Sequence, residues 1–180
     1  MRILKNNSIG LIIDVQEKLF PHMQKRDQLE NNLIRLISGI KILKIPFLIT
    51  EQYTKGLGQT IPSVQNALGD FSCIEKMSFS CCDQPDFTER LKDSEKKNII
   101  LCGIETHVCV LQTTIDLLQS GYQPVVIEDC VSSRNLDDKI IAIERMRQEG
   151  AVISSLESIL FELTRESGTE SFKEISKLIK

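Results

Sequence analysis

Four short runs of consecutive apolar residues mark the chain: IGLIID at 9–14, IPFLIT at 45–50, NIILCG at 98–103 and PVVIED at 124–129. Unbroken rather than alternating hydrophobicity is what a strand needs when both its faces are buried, as in a parallel sheet. AVIS at 151–154 repeats the character in shorter form, and FSCIEK at 71–76 is a weaker strand candidate. Between the runs the period changes. Leu29, Leu33, Leu36, Ile37, Ile40 and Leu43 recur at helical spacing, as do Val108, Leu111, Ile115 and Leu118, and then Ile140, Ile143 and Met146 ahead of Gly150. Each set makes an apolar stripe that faces a core, and Gly150 is a plausible helix stop.

Strands alternating with helices imply right-handed crossovers, and so an α/β fold with an open parallel sheet between two helix layers. No Pro-, Gly- or Ser-rich linker and no internal repeat interrupts the alternation, so residues 1–180 are expected to form one domain. In open sheets of this kind ligands bind beyond the carboxyl ends of the strands. That rule selects Asp14, Glu51, Gln52, Lys76, Glu105, Cys109, Glu128 and Asp129.

Composition narrows the partners. Both signs of charge are interspersed and the net charge is −3, whereas nucleic-acid binding wants a basic face. The apolar runs are far shorter than the roughly 20 residues needed to cross a bilayer. No targeting segment is visible at the N-terminus, and a soluble, cytoplasmic protein is expected. Six cysteines contain no Cys-x-x-Cys pair, which fits free thiols in a reducing compartment. The adjacent Cys81 and Cys82 suit neither an ordinary disulfide nor a zinc knuckle.

Singly, three of the strand-end residues have ordinary explanations: Asp14 as a helix cap, Lys76 as a solvated lysine, Cys109 as a small buried hydrophobe. Together they supply a base, a charge stabiliser and a nucleophile, the set that acyl transfer requires. Cys109 falls in the first turn of the helix after NIILCG, where free amide groups favour a thiolate. With Lys76 beside it, it is expected to be the most acidic of the six thiols. His107, two residues before Cys109, points to a different side of the same helix and is not expected to pair with it.

The segments LIIDVQEKLF, TEQYTKGLGQTIP, EKMSFS and LCGIETHVCVLQTTIDLL resemble the isochorismatase-like cysteine hydrolase family, and the likeness spans nearly the whole chain. It implies a three-layer α/β/α sandwich with a six-stranded parallel sheet in the order 3-2-1-4-5-6, and a catalytic triad of Asp14, Lys76 and Cys109. It further implies a cis peptide at Ile104–Glu105 and an oxyanion hole from the backbone N–H groups of Glu105 and Cys109. Phe20, Gln52, Tyr53 and Phe79 are candidate pocket residues, with core packing as the ordinary alternative for the two phenylalanines. The resemblance implies hydrolysis of a small-molecule amide through a thioester, with Asp14 moving the proton.

Some features depart from the family pattern. Where metal-dependent members carry Asp-x-His after strand 2, this chain has Glu51, Gln52 and Tyr53, so neither a metal nor another cofactor is expected. The FKEISKLIK tail places Phe172, Ile175 and Ile179 on one stripe, a docking helix for its own domain or a neighbouring subunit rather than a membrane anchor. A homo-oligomer is expected. Three other functions stay open: a non-catalytic interaction scaffold, a thiol redox protein, and vinyl-ether hydrolysis of the isochorismatase type, which needs an acid but no cysteine.

Overall fold

The computed structural model describes residues 2–180. Six strands, β1 (Ser8–Ile13), β2 (Phe47–Gln52), β3 (Cys73–Lys76), β4 (Asn98–Ile104), β5 (Gln123–Ser132) and β6 (Val152–Ser154), form one parallel sheet in the order β3-β2-β1-β4-β5-β6. Every residue of β1 and of β4 is buried, as their unbroken apolar runs require.

Eight α-helices accompany the sheet: α1 (Arg26–Ile42), α2 (Thr54–Leu57), α3 (Pro62–Leu68), α4 (Pro85–Asp93), α5 (Leu111–Gln119), α6 (Leu136–Glu149), α7 (Leu156–Thr164) and α8 (Glu170–Ile179). Two apolar cores result. One joins α1, α3, α7 and α8 to one face of the sheet and the other joins α4, α5 and α6 to the opposite face, which makes three layers. The α1 stripe is buried at all six of its predicted positions. Asn135, Ser155 and Thr169 cap α6, α7 and α8 by accepting from backbone amides, and Gly150, with φ of 109°, ends α6. The tail helix α8 packs on its own chain: Ile175 is buried, and the Phe172 ring lies 6.2 Å from that of Phe161 in α7.

Two sequence-based expectations are corrected and one is refined. Val108, Leu111 and Leu118 pack half-buried against the core as expected, Ile115 is half-buried too, and the fully buried positions of α5 are Thr113, Thr114 and Leu117. A π-helical turn at Thr106–Val110 precedes α5. The threonines are tolerated because Thr114 Oγ1 donates to Val110 O (2.7 Å) and Thr113 Oγ1 accepts from Cys81 N (3.0 Å). In α6, Ile143 and Met146 are buried as expected, and Ala142 with them, but Ile140 does not face the core; with Leu136 and Ile141 it is exposed. Finally, β5 runs past PVVIED to Ser132, and its register against β4 shifts between Leu101 and Gly103, so Glu128 and Asp129 lie inside the strand at an irregularity rather than beyond its end.

Candidate active site

The strand order puts the end of β1 between the ends of β2 and β4, and the close approach of β1 to β4 depends on Gly103. It pairs with Ile13 at φ of 123°, and a Cβ there would lie 2.1 Å from Ile13 O. Only glycine fits a backbone this close in this conformation. Asp14 follows immediately with φ of 52°; its N–H donates to Thr50 O (3.2 Å) and its carbonyl accepts from Gln16 N (2.8 Å). The chain turns sharply here, and the carboxylate is fully buried.

Burying a carboxylate requires donors. Lys76, the last residue of β3, places Nζ 2.6 Å from Asp14 Oδ2, and Thr50 Oγ1 of β2 donates to Oδ1 at 2.7 Å. Both side chains of the ion pair have no solvent exposure. Lys76 also donates to Ser78 O (3.1 Å) and Phe79 O (3.2 Å), so all three ammonium protons have an acceptor. Burial pulls the lysine pKa down, but the Asp14 carboxylate beside it pulls it up, and the net shift is upward. Lys76 therefore stays charged.

Cys109 reaches the same point from β4. The chain leaves that strand through a cis Ile104–Glu105 peptide and enters the π-helical turn, within which Cys109 is only 4% exposed. Its Sγ donates to Gln52 Oε1 at 3.3 Å. Burial pushes the thiol pKa up, and the charge of Asp14 pushes it further, against the opposing pull of Lys76. This corrects the expectation of an acidic thiol. In the resting protein Cys109 is a neutral thiol beside a preformed ion pair. The Glu105 carboxylate accepts from Arg134 N (3.0 Å) and Nε (3.1 Å), which ties this turn to the end of β5, while the Glu105 N–H has no partner among the backbone hydrogen bonds of the turn. The Thr106 hydroxyl is buried and unpartnered. His107 Nδ1 meets Ser133 Oγ at 2.9 Å rather than Cys109.

Of the pocket candidates, Gln52 contacts the thiol, and Tyr53 and Phe79 are exposed on segments that bear on Lys76: the Tyr53 N–H donates to Lys76 O and the Phe79 carbonyl accepts from its ammonium. Phe20 is 5% exposed and belongs to the core on the α1 side of the sheet, away from the core that holds Cys109. Glu51 is also structural, accepting from Thr60 N and Oγ1, each at 2.7 Å. Sequence reasoning missed Gln16. Fully buried, its carboxamide accepts from Gln52 N (2.8 Å) and donates to Gln52 O (2.9 Å) and Gly58 O (2.7 Å), fixing the backbone of the residue that meets the thiol. Its only signal was position, two residues after Asp14.

Among the described residues no group of three or more His, Cys, Asp or Glu side chains is placed to hold a metal ion, and no helix is long and apolar enough to cross a membrane. A cavity of about 640 Å³ opens elsewhere, on the β5–β6 side, with Lys25, Glu128, Asp129 and Lys139 in its lining and Cys109 outside it.

The isochorismatase domain model matches residues 8–158, from the start of β1 into α7. The chain belongs to the isochorismatase family. It is similar to isochorismatase domain-containing protein 2A from Mus musculus, at 38% identity over 99% of this chain and 85% of the relative. The structure titled MAR1 Ribonuclease from Caenorhabditis elegans superposes with a TM-score of 0.93 at 40% identity, covering 99% of this chain and 92% of that one. YcaC from Pseudomonas aeruginosa, solved with hexane-2,5-diol and covalent acrylamide, gives a TM-score of 0.92 at 26% identity, covering 98% of this chain and 91% of that one. The chain has the fold of an isochorismatase-family hydrolase, and the α/β/α sheet order that the resemblance implied is the observed one.

Proposed function

We propose that this isochorismatase-family chain hydrolyses the C–N bond of a small amide through Cys109, Asp14 and Lys76. The observation that carries the reading is the fully buried Lys76–Asp14 pair (2.6 Å), which shares its enclosure with the Cys109 thiol. A buried ion pair is costly to keep and is weak as a stabilising device, so one beside a nucleophile reads as chemistry. Asp14 takes the thiol proton as Cys109 attacks the carbonyl carbon, so the thiolate exists only while substrate is consumed. The oxygen acquires charge against the Glu105 and Cys109 N–H groups. Asp14 returns the proton to the leaving amine; a water deprotonated by Asp14 then attacks the thioester, releasing a carboxylic acid, and Asp14 hands that proton to the departing Cys109 sulfur to restore the thiol. Lys76 compensates the negative charge throughout. No step needs a metal or cofactor.

The covalent acrylamide in the Pseudomonas YcaC structure fits a nucleophile in that protein that adds to an activated alkene. A screen of small amides with wild type and Cys109→Ala, with thioester trapping by mass spectrometry, tests the reading. Cys109-dependent turnover and a trapped adduct are expected; wild-type turnover in Cys109→Ala overturns it.

RNA cleavage is the second reading, favoured by the name of the Caenorhabditis relative. The net charge of −3 and a thiol only 4% exposed weigh against a polynucleotide substrate. Cys109-dependent degradation of RNA by the same preparation decides for it. Self-association belongs with the main reading, since exposed Leu136, Ile140 and Ile141 crowd one end of α6; light scattering checks it.

A further inference from the structure

The proposed mechanism requires Asp14 to accept a proton and give it back, yet both of its oxygens already receive strong hydrogen bonds. The two donors are not equivalent. Lys76 has three N–H donors and no acceptor, and all three are committed, to Asp14 Oδ2, Ser78 O and Phe79 O. It can only donate, so a proton placed on Oδ2 on the side of Lys76 would face another proton. Thr50 is different: a hydroxyl donates and accepts, and this one is fully buried, donating to Asp14 Oδ1 at 2.7 Å while the Cys81 thiol donates to it at 3.8 Å.

We infer that the proton taken from Cys109 is carried on Asp14 Oδ1, and that Thr50 is the positioning residue that makes this possible by reversing its hydrogen bond. The inference rests on the reading of Asp14 as the base. As Oδ1 gains the proton, the Thr50 hydroxyl turns from donor to acceptor, Oδ1–H donates to it, and its own proton swings to Cys81 Sγ, a weak acceptor as well as a weak donor. When the proton leaves for the product the chain Asp14–Thr50–Cys81 swings back. No bond to Thr50 or Cys81 is made or broken; only the direction of two hydrogen bonds changes. Cys81 gains a role that its position in the sequence did not indicate. It is buried beside the relay, its thiol pushed to about 12 by burial and by Asp14, so it stays protonated and neutral. The charged and titratable groups around Asp14 are Lys76 from β3, Cys81 from the segment before α4, and Cys109 from the turn after β4.

Two alkylating probes separate proton return from access. Iodoacetamide displaces iodide and needs only removal of the thiol proton. Acrylamide forms a C–S bond at its β-carbon and then needs a proton at its α-carbon, which Asp14 supplies. The ratio of the two rates at Cys109, followed by intact mass and peptide mapping on the full-length protein, therefore reports proton return while changes in accessibility cancel. Thr50→Val, an isosteric change on a buried strand, should lower the acrylamide-to-iodoacetamide ratio by about tenfold, less than the roughly 10²-fold low end for a direct acid or base, because Thr50 acts only through Asp14. Thr50→Ser should restore it, and Cys81→Ala should lower it about two- to threefold, as loss of a weak terminal acceptor predicts. Asp14→Asn should lower it at least as much as Thr50→Val. If Asp14→Asn lowers the ratio but Thr50→Val and Thr50→Ala both leave it at the wild-type value, the Thr50 inference is wrong and the base stands. If Asp14→Asn leaves it unchanged, Asp14 is not the relay and the inference fails with it.

Discussion

Lys76 and Lys139 both bring a partly or wholly desolvated amine toward the carboxyl side of the sheet, and burial has opposite outcomes for them. Lys76 meets Asp14 at 2.6 Å and its pKa is held up in spite of desolvation. Lys139, on α6, donates to the Glu128 carbonyl at 2.8 Å, and no ion pair among the described residues includes it. Burial lowers its pKa; Lys25 adds to the fall, and the acids Glu128 and Asp129 offset it only in part. The cost of removing a cation from water is similar in kind at both places. What differs is whether the fold delivers a carboxylate in contact. It does at β1–β3, where adjoining strands set the distance, and not at the open cavity over β5 and β6.

The sharpest way to break this comparison is to remove the two amines. Lys76→Met leaves Asp14 buried and uncompensated, which is expected to cost about 3–5 kcal/mol in urea denaturation and to reduce turnover by at least about 10³-fold. Lys139→Met should stay within about 1 kcal/mol of wild type, with turnover unchanged. Equal losses at the two positions would end the distinction. The combination of Lys76→Met with Asp14→Leu sharpens it: stability should recover relative to Lys76→Met alone, and under the proposed mechanism activity should stay absent.

Gly103→Ala comes next in size. Its Cβ meets the backbone of Ile13 at 2.1 Å, so β4 must move away from β1 and Cys109 must leave the Asp14–Lys76 pair. A loss of roughly 2–4 kcal/mol is expected, with turnover lost. Acylation of Lys139 by an amine-directed ester should be nearly unaffected in whatever fraction stays folded. If turnover persists, the close approach of β1 and β4 is not what assembles the site.

Smaller effects concern reactivity against pH. A lowered lysine pKa means the free amine appears at lower pH, so Lys139 should acylate at lower pH than surface lysines, while Lys76, raised and sealed, should not react in the folded protein. Stability should follow the same signs. The penalty at Lys139 begins to fall as pH rises through its lowered value and is gone above the ordinary lysine value, whereas the contribution of Lys76 is full below the ordinary value and is lost as pH rises through its raised one. For the thiols, limited iodoacetamide at about pH 6.5 should modify half-buried Cys73 and Cys82, each pushed to about 12, before Cys109, which burial and Asp14 raise further. Lys76→Met should slow Cys109 labelling further, since it removes the charge that pulls the thiol pKa down. First labelling of Cys109 in the wild type would show that Lys76 outweighs Asp14.

The sequence by itself determined the strands and, except for β5, which residues stand at their carboxyl ends. Continuous apolar runs can only be satisfied by burial on both faces, and strand ends are where the backbone turns outward, so Asp14, Lys76 and Cys109 were legible before any coordinates. The strand order came from the family resemblance rather than from periodicity. Periodicity also misplaced Ile140, because an exposed helix end changes which residues are buried without changing the spacing of apolar residues, and it could not reveal the buried threonines of α5. Tertiary structure alone decided the rest. It brought Asp14 and Lys76, 62 positions apart in the chain, into contact beside Cys109, made Gln16 and Thr50 their supports, sent Phe20 to the opposite core, and turned an expected thiolate into a neutral thiol. Such outcomes depend on the balance between desolvation and a counter-charge a few ångströms away. That balance is a property of packing, which no local pattern records.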